Sequence, residues 1–164
     1  MGAGAMPAAA VAGAAAATAT YLRIGEAPDA VLLRAAGSAL GLAEAFCGQL
    51  LIARDCDERM RPKAEWQRLA AMPVRGITGG PGVAVDIDTG GIGWVRVEGA
   101  EAVVRYAAGL AAAWETLPEG LAQGVVLLAA HLFNRRDDGA MPPVAVAALW
   151  RPYRRMRLSV EARA

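Results

Sequence analysis

At 164 residues the chain fits one domain, and an apolar fraction of 55% excludes general disorder. Much of that fraction is alanine, which buries little area, so the core must rest on fewer large side chains; with aromatics at 5%, each of the four tryptophans is expected at a core or contact position. A formal net charge of +1 excludes a strong overall field for gripping nucleic acid.

The stretch from Ala3 to Ala19 is nearly all alanine and glycine. It lacks the basic n-region of a signal peptide, since the first basic residue is Arg23, and alanine is too weakly apolar for a spanning helix. The expectation is a soluble cytoplasmic product with no membrane partner, starting at Met1 or Met6. Alanine's helix propensity predicts a first helix over Ala8 to Ile24, weakened by Gly13 and two threonines. Gly25 to Pro28 forms a turn. A second helix runs from Asp29 to Cys47, with Asp29 in its first turn facing the positive end of the dipole. Val31, Leu32, Ala35, Ala39, Leu42, Ala43 and Phe46 recur at helical spacing, and Gly48 stops the helix.

The period then changes. Val83, Val85 and Ile87 alternate with Ala84, Asp86 and Asp88; after Thr89-Gly90-Gly91, Ile92, Trp94 and Arg96 alternate with Gly93, Val95 and Val97. This is a hairpin pattern. Val103 to Tyr106 reads as a further strand, with weaker strands at Leu50 to Met60 and Trp66 to Ile77. Helix returns with Thr116-Leu117-Pro118-Glu119, a capping-box pattern. Leu117, Leu121, Val125, Leu128 and Leu132 follow on one face, flanked by Ala122, Val126, Ala129 and Phe133, an apolar arc wide enough for enclosure on several sides. Asn134 to Gly139 is a polar loop, Pro142-Pro143 opens a short helix through Trp150, and Pro152 interrupts it. From Leu149 onward five arginines (151, 154, 155, 157 and 163) face only Glu161, a basic tail on a nearly neutral body.

The fold class expected is α+β, mainly α: a small bundle of about four helices with an inserted antiparallel β-hairpin or sheet and an extended C-terminal tail. Residues 1–164 form one domain, helical over 1–48, with a β insertion over 49–107, helical again over 116–150, and ending in a basic tail over 151–164.

Candidate chemistry is sparse. Asp88-Thr89-Gly90, after Val85-Asp86-Ile87, resembles the aspartic protease signature. That chemistry needs two carboxylates sharing a proton, so an aspartic-type hydrolase built on Asp88 would require a symmetric dimer. The simpler reading is a hairpin turn. The loop Thr78-Gly79-Gly80-Pro81-Gly82 lacks the Gly-Lys-Ser/Thr ending of a phosphate loop and leads into a strand. His131 sits inside the most apolar helix, with Leu127, Leu128 and Arg135 at helical spacing and no nucleophile or carboxylate among them. Cys47 and Cys56 form neither a CxxC nor a Cys/His cluster and read as two free buried thiols. The expectation is a non-enzyme with no catalytic, cofactor or metal residues.

Three stretches resemble the head–tail connector, or head-completion adaptor, family of long-tailed phages and gene transfer agents. The first is Tyr21-Leu22-Arg23-Ile24 with the helix from Asp29 to Cys47. It is similar to the family's Leu-Arg-(Ile/Val) turn and its amphipathic helix closing on an aromatic, a small residue and glycine. The second runs from Leu117-Pro118-Glu119 through Leu127-Leu128-Ala129-Ala130-His131-Leu132-Phe133-Asn134-Arg135-Arg136. The third is Pro142-Pro143-Val144 to Leu149 with Arg151-Pro152-Tyr153-Arg154-Arg155. The basic end is closest to the gene-transfer-agent and alphaproteobacterial prophage branch, whereas the alanine-rich start departs from a more polar first helix.

The resemblance implies a structural neck protein of the virion or gene-transfer-agent particle, made and assembled in the bacterial cytoplasm. It implies a closed homo-oligomeric ring, dodecameric in the particle, which binds the portal protein after DNA packaging. The ring would extend the channel for double-stranded DNA, without sequence-specific contact, and present a platform for the next neck (stopper) protein. Portal binding would fall to Trp150, Arg151, Tyr153, Arg154, Arg155, Met156, Arg157 and Leu158, a segment whose aromatic–arginine mixture is that of interface hot spots. Truncation after Leu149 is then expected to spare folding and abolish portal binding. The 83–97 hairpin, short and glycine-rich, is expected at a subunit or neck-protein contact, while the 29–47 and 117–134 helices pack as the core. The remaining alternative is an adaptor of a non-phage assembly.

Overall fold

The computed structural model describes residues 2–134 and 143–155. The polar loop expected after Asn134, and Met156, Arg157 and Leu158, lie outside the described residues.

Four helices make the body: α1 (Ala8–Leu22), α2 (Ala30–Cys47), α3 (Glu119–Asn134) and α4 (Val144–Trp150). Helix α1 ends earlier than its alanine content suggests, because Arg23 adopts the left-handed conformation (φ 58°) and Ile24 N–H bonds back to Ala19 O at 2.9 Å. Gly13, which weakens the helix intrinsically, is where Trp114 lies: a Cβ there would meet the indole at 2.7–2.9 Å. Asp29 caps α2 rather than sitting in its first turn, its Oδ1 accepting from Leu32 N–H at 2.8 Å. Gly48 closes α2 with φ 67°. Helix α2 is long and apolar enough to cross a membrane by length and composition. Its apolar face, however, is turned inward: Leu32, Ala36, Ala39, Leu40 and Ala43 are buried against α1 and α3. The expected pairing of the second helix with the third long one is the centre of this core.

The capping box expected at Thr116–Glu119 does not form. Residues Trp114–Thr116 make a single 3-10 turn, and the Thr116 hydroxyl donates to Ala113 O (3.0 Å) and accepts from Ala113 N–H (3.2 Å). With Thr116 committed backward, α3 starts from Pro118, whose carbonyl accepts from Leu121 and Ala122 N–H.

The insertion holds the expected hairpin and further strand, and strands also form within the two weaker stretches, with the second split in two. Its strands are β1 (Arg54–Met60), β2 (Gln67–Arg68), β3 (Val74–Thr78), β4 (Val83–Ile87), β5 (Gly93–Val97) and β6 (Ala102–Ala108). They form two antiparallel three-stranded sheets, ordered β1-β6-β3 and β2-β5-β4. The sheets share a second apolar cluster, with Leu69, Val95, Val97, Val104 and Tyr106 buried in it. Tyr106 OH donates to Glu58 Oε2 (3.1 Å) and accepts from Ala71 N–H (3.2 Å), so its buried hydroxyl is satisfied. The outer edge of β1 is covered by the chain start: Gly4 N–H bonds Asp55 O (3.0 Å) and Asp57 N–H bonds Gly2 O (3.3 Å).

Two further features join insertion to body. Its stems pair with each other: Leu110 N–H bonds Leu50 O, Ala111 N–H bonds Leu51 O, and Ala53 N–H bonds Ala111 O, at 2.8–3.0 Å. Glu44 of α2 meets Arg54 of β1 at 2.6 Å, each side chain only 11% exposed, and also accepts from Leu51 N–H at 2.9 Å.

Candidate partner-binding site

The C-terminal segment is built against the end of α2. Helix α4 begins after Pro143 and gives way to a 3-10 turn, Arg151–Tyr153, where Pro152 cannot continue the α-helical ladder. Trp150 is 3% exposed. Its indole lies directly on Gly124 of α3, where any Cβ would collide with Nε1, and its N–H donates to Leu121 O at 3.3 Å. Phe46 packs beside it with ring centroids 5.8 Å apart. The sequence reading placed Trp150 with the portal-binding residues; here it is a core residue, because Gly124 leaves a notch only a flat ring fills. Truncation after Leu149 would therefore remove a core side chain as well as the tail.

Beyond Trp150 the side chains turn outward. Arg151, Arg154 and Arg155 are exposed and Tyr153 is half-buried. The Arg154 guanidinium lies 5.7 Å from the centre of the Phe46 ring, a cation–π contact. Among the described residues no carboxylate pairs with these three arginines. The backbone is pinned at two points: Gln49 Nε2 donates to Tyr153 O (2.7 Å), and Arg155 N–H donates to Cys47 O (2.7 Å), one of the unsatisfied carbonyls at the end of α2. Gly48 is required beside it, since a Cβ would meet Arg155 O at 2.8 Å. The cationic cluster thus stands where a helix C-terminus favours positive charge.

The other candidates have structural roles. Asp88 Oδ1 accepts from Gly90 N–H (2.8 Å) and Ile92 N–H (2.9 Å), and Oδ2 from Trp94 Nε1–H (3.1 Å). These bonds, that from Ile92 foremost, hold its carboxyl below the usual range, so it is committed to the turn as an anion. The Thr78–Gly82 loop runs into β4, as a plain connection. His131 lies in the last turn of α3, half-buried, with Nε2 unpartnered among the described residues. Cys47 and Cys56 are free and buried, one in each apolar cluster. Burial, with Glu44 adding to it, pushes the Cys47 thiol up to about 11.

Sequence reasoning missed a second surface. On the outer face of the β2-β5-β4 sheet Trp66 is 44% exposed, with the Arg96 guanidinium 5.4 Å from its ring centre. Val85 and Ile87 of the edge strand β4 are exposed too, but on the other face, where they pair with the buried Val95 and Gly93. The alternation of the hairpin was visible, but which face stays open depends on pairing with β2, only two residues long.

The sequence matches no protein-family model and no curated protein. Solved structures do match. The chain is similar to a protein of the "Neck of empty GTA particle computed with C6 symmetry", with TM-score 0.75 and 26% identity over 96% of this chain and 97% of that one. It is similar to a chain of the "Virion of native gene transfer agent (GTA) particle", with TM-score 0.74 and 27% identity over 94% of both. A third match, in the "Neck of native GTA particle computed with C12 symmetry", has TM-score 0.74 and 25% identity over 96% and 97%. The likeness spans body and insertion together and, with the ordered sequence motifs, supports the resemblance to the neck connector family of phages and gene transfer agents.

Proposed function

We propose that this protein is a structural subunit of a particle neck, an adaptor that closes into a ring beneath the portal, extends the DNA channel and carries the next neck protein. The observation that carries the reading is the near-full-length likeness to chains of gene-transfer-agent necks, two of them computed with rotational symmetry. A ring subunit needs two unlike surfaces that meet head-to-tail and close. The cationic chain end and the open Trp66–Arg96 face are two unlike surfaces, one on the body and one on the insertion. The portal-binding role falls to the exposed part of the segment, Arg151, Tyr153, Arg154 and Arg155, continuing into Met156, Arg157 and Leu158. Double-stranded DNA passes through the channel without sequence-specific contact.

The test is co-assembly with a portal protein of a gene transfer agent. Arg151→Glu, Arg154→Glu and Arg155→Glu together reverse the charge while leaving Trp150 in the core. Normal folding with lost portal binding is expected; unchanged binding removes the chain end as the anchor. For the sheet face, deletion of 83–97 is the wrong probe, because Val95 and Val97 are buried in the second cluster. Trp66→Ala is expected to leave the fold intact and lower ring formation or neck-protein binding.

A further inference from the structure

A groove of about 630 Å³ runs along the solvent side of α2, between Gly41, Ala45 and Gly48 on one wall and Ala71 and Met72 of the insertion on the other. Small side chains make it shallow at the helix and apolar in lining. It begins where the described chain ends: Arg155 O lies against Gly48, and Arg155 N–H is bonded to Cys47 O. Gln49, on the same wall, is 5% exposed; its Nε2 is bonded to Tyr153 O, but its Oε1 has no partner among the described residues. A buried carbonyl oxygen without a donor is costly, so the groove is short of one N–H.

Nine residues follow Arg155. Met156, Leu158 and Val160 alternate with Arg157, Ser159 and Glu161, so an extended conformation puts three apolar side chains on one face and the polar ones on the other. The run from Gly41 to Gly48 rises roughly 10 Å, a length that about three to four extended residues cover. Met156 to Val160 is long enough, and Arg155, which precedes it, lies at the rim.

We propose that the groove is the seat of the subunit's own chain end: Met156, Leu158 and Val160 lie against Gly41, Ala45 and Met72, and a backbone N–H of this segment donates to Gln49 Oε1. The occupant is the same copy's tail, because Arg155 is tethered at the mouth of its own groove and a second copy's tail would first have to leave an equivalent tether. The free subunit then holds its docking segment stowed, and whatever partner takes the tail must draw it out. This concerns the free subunit and stands whichever partner that is.

Trypsin cleavage after Arg157, followed by mass spectrometry on the full chain, reads the seating. Ala45→Trp fills the groove from an exposed helical position, and Leu158→Asp spoils the tail while leaving the groove intact. Each is expected to speed that cleavage about tenfold over wild type, since proteolysis follows the population of the released segment. The pair Ala45→Cys and Leu158→Cys is expected to oxidise to an intramolecular disulfide in the monomer fraction. Equal cleavage rates in wild type and both variants overturn the proposal. So does a cross-link that appears only as covalent dimer, which assigns the groove to a second copy's tail.

Discussion

The helical body and the β insertion solve the same shortage in different ways. Alanine supplies much of the body's core: Ala10, Ala14, Ala15 and Ala19 of α1 and Ala36, Ala39 and Ala43 of α2 are all 5% exposed or less. Such helices come close together, and the few large rings go where a glycine opens a notch, Trp114 on Gly13 and Trp150 on Gly124. The insertion has thinner layers filled by Val95, Val97, Val104, Leu69 and Tyr106, and it leaves Val85, Ile87, Val103 and Trp66 partly in solvent. The body has no slack to lend, whereas the insertion keeps an unfinished surface. A subunit that must be rigid in itself and still meet neighbours needs both kinds of packing.

The contrast can be broken most severely at Gly124. Gly124→Leu is expected to prevent folding of the body, read as loss of helical circular dichroism. Trp150→Ala, which empties the same notch, is expected to cost about 3–5 kcal/mol in urea unfolding. At the junction, Arg54→Met leaves Glu44 charged and unpaired in a setting where both partners are mostly buried. Loss of about 3 kcal/mol is expected, with the insertion loosened more than the body in amide exchange.

The two thiols sharpen the comparison without mutation, because Cys47 reports on the body and Cys56 on the insertion. Both are expected to resist labelling in the native state, and Cys47, pushed up to about 11, to resist even in mild alkali. With rising urea, Cys56 is expected to become reactive before Cys47, and simultaneous exposure would make the two cores one cooperative unit.

The smallest effect is expected at Asp88. Asp88→Asn should speed exchange of the Gly90 and Ile92 amides while leaving the body unchanged. The carboxyl is held below its ordinary 3.8, so its stabilisation of the turn is present above that value and lost as pH falls through the depressed one. Acid should therefore loosen the hairpin in wild type and add little in Asp88→Asn.

What could be read from the chain was local. Asp29 and Gly48 bound α2 through bonds made within a few residues, and the 83–97 alternation needed only its own turn. What escaped depends on distant partners. The β1-β6 ladder joins Arg54 to Ala108, and Thr116 turned away from Glu119 because a 3-10 turn formed behind it. Trp150 resembled an interface residue by composition, and only its placement over Gly124 identifies it as core. For the chain end, the arginines were legible as a basic run; the carbonyl of Cys47 that anchors Arg155 was not.

The paired stems have a consequence for variation among related subunits. Leu50–Ala53 and Gly109–Ala111 lie side by side, so to the body everything between them is one loop closed at its base. Provided Arg54 keeps its pairing with Glu44, strands between those stems can be lengthened, shortened or replaced while the body's helices see the same two anchors at the same spacing. Exchange of outer modules on a constant chassis is the natural route by which such proteins would acquire new neighbours, and the same cut points would serve for grafting one in the laboratory.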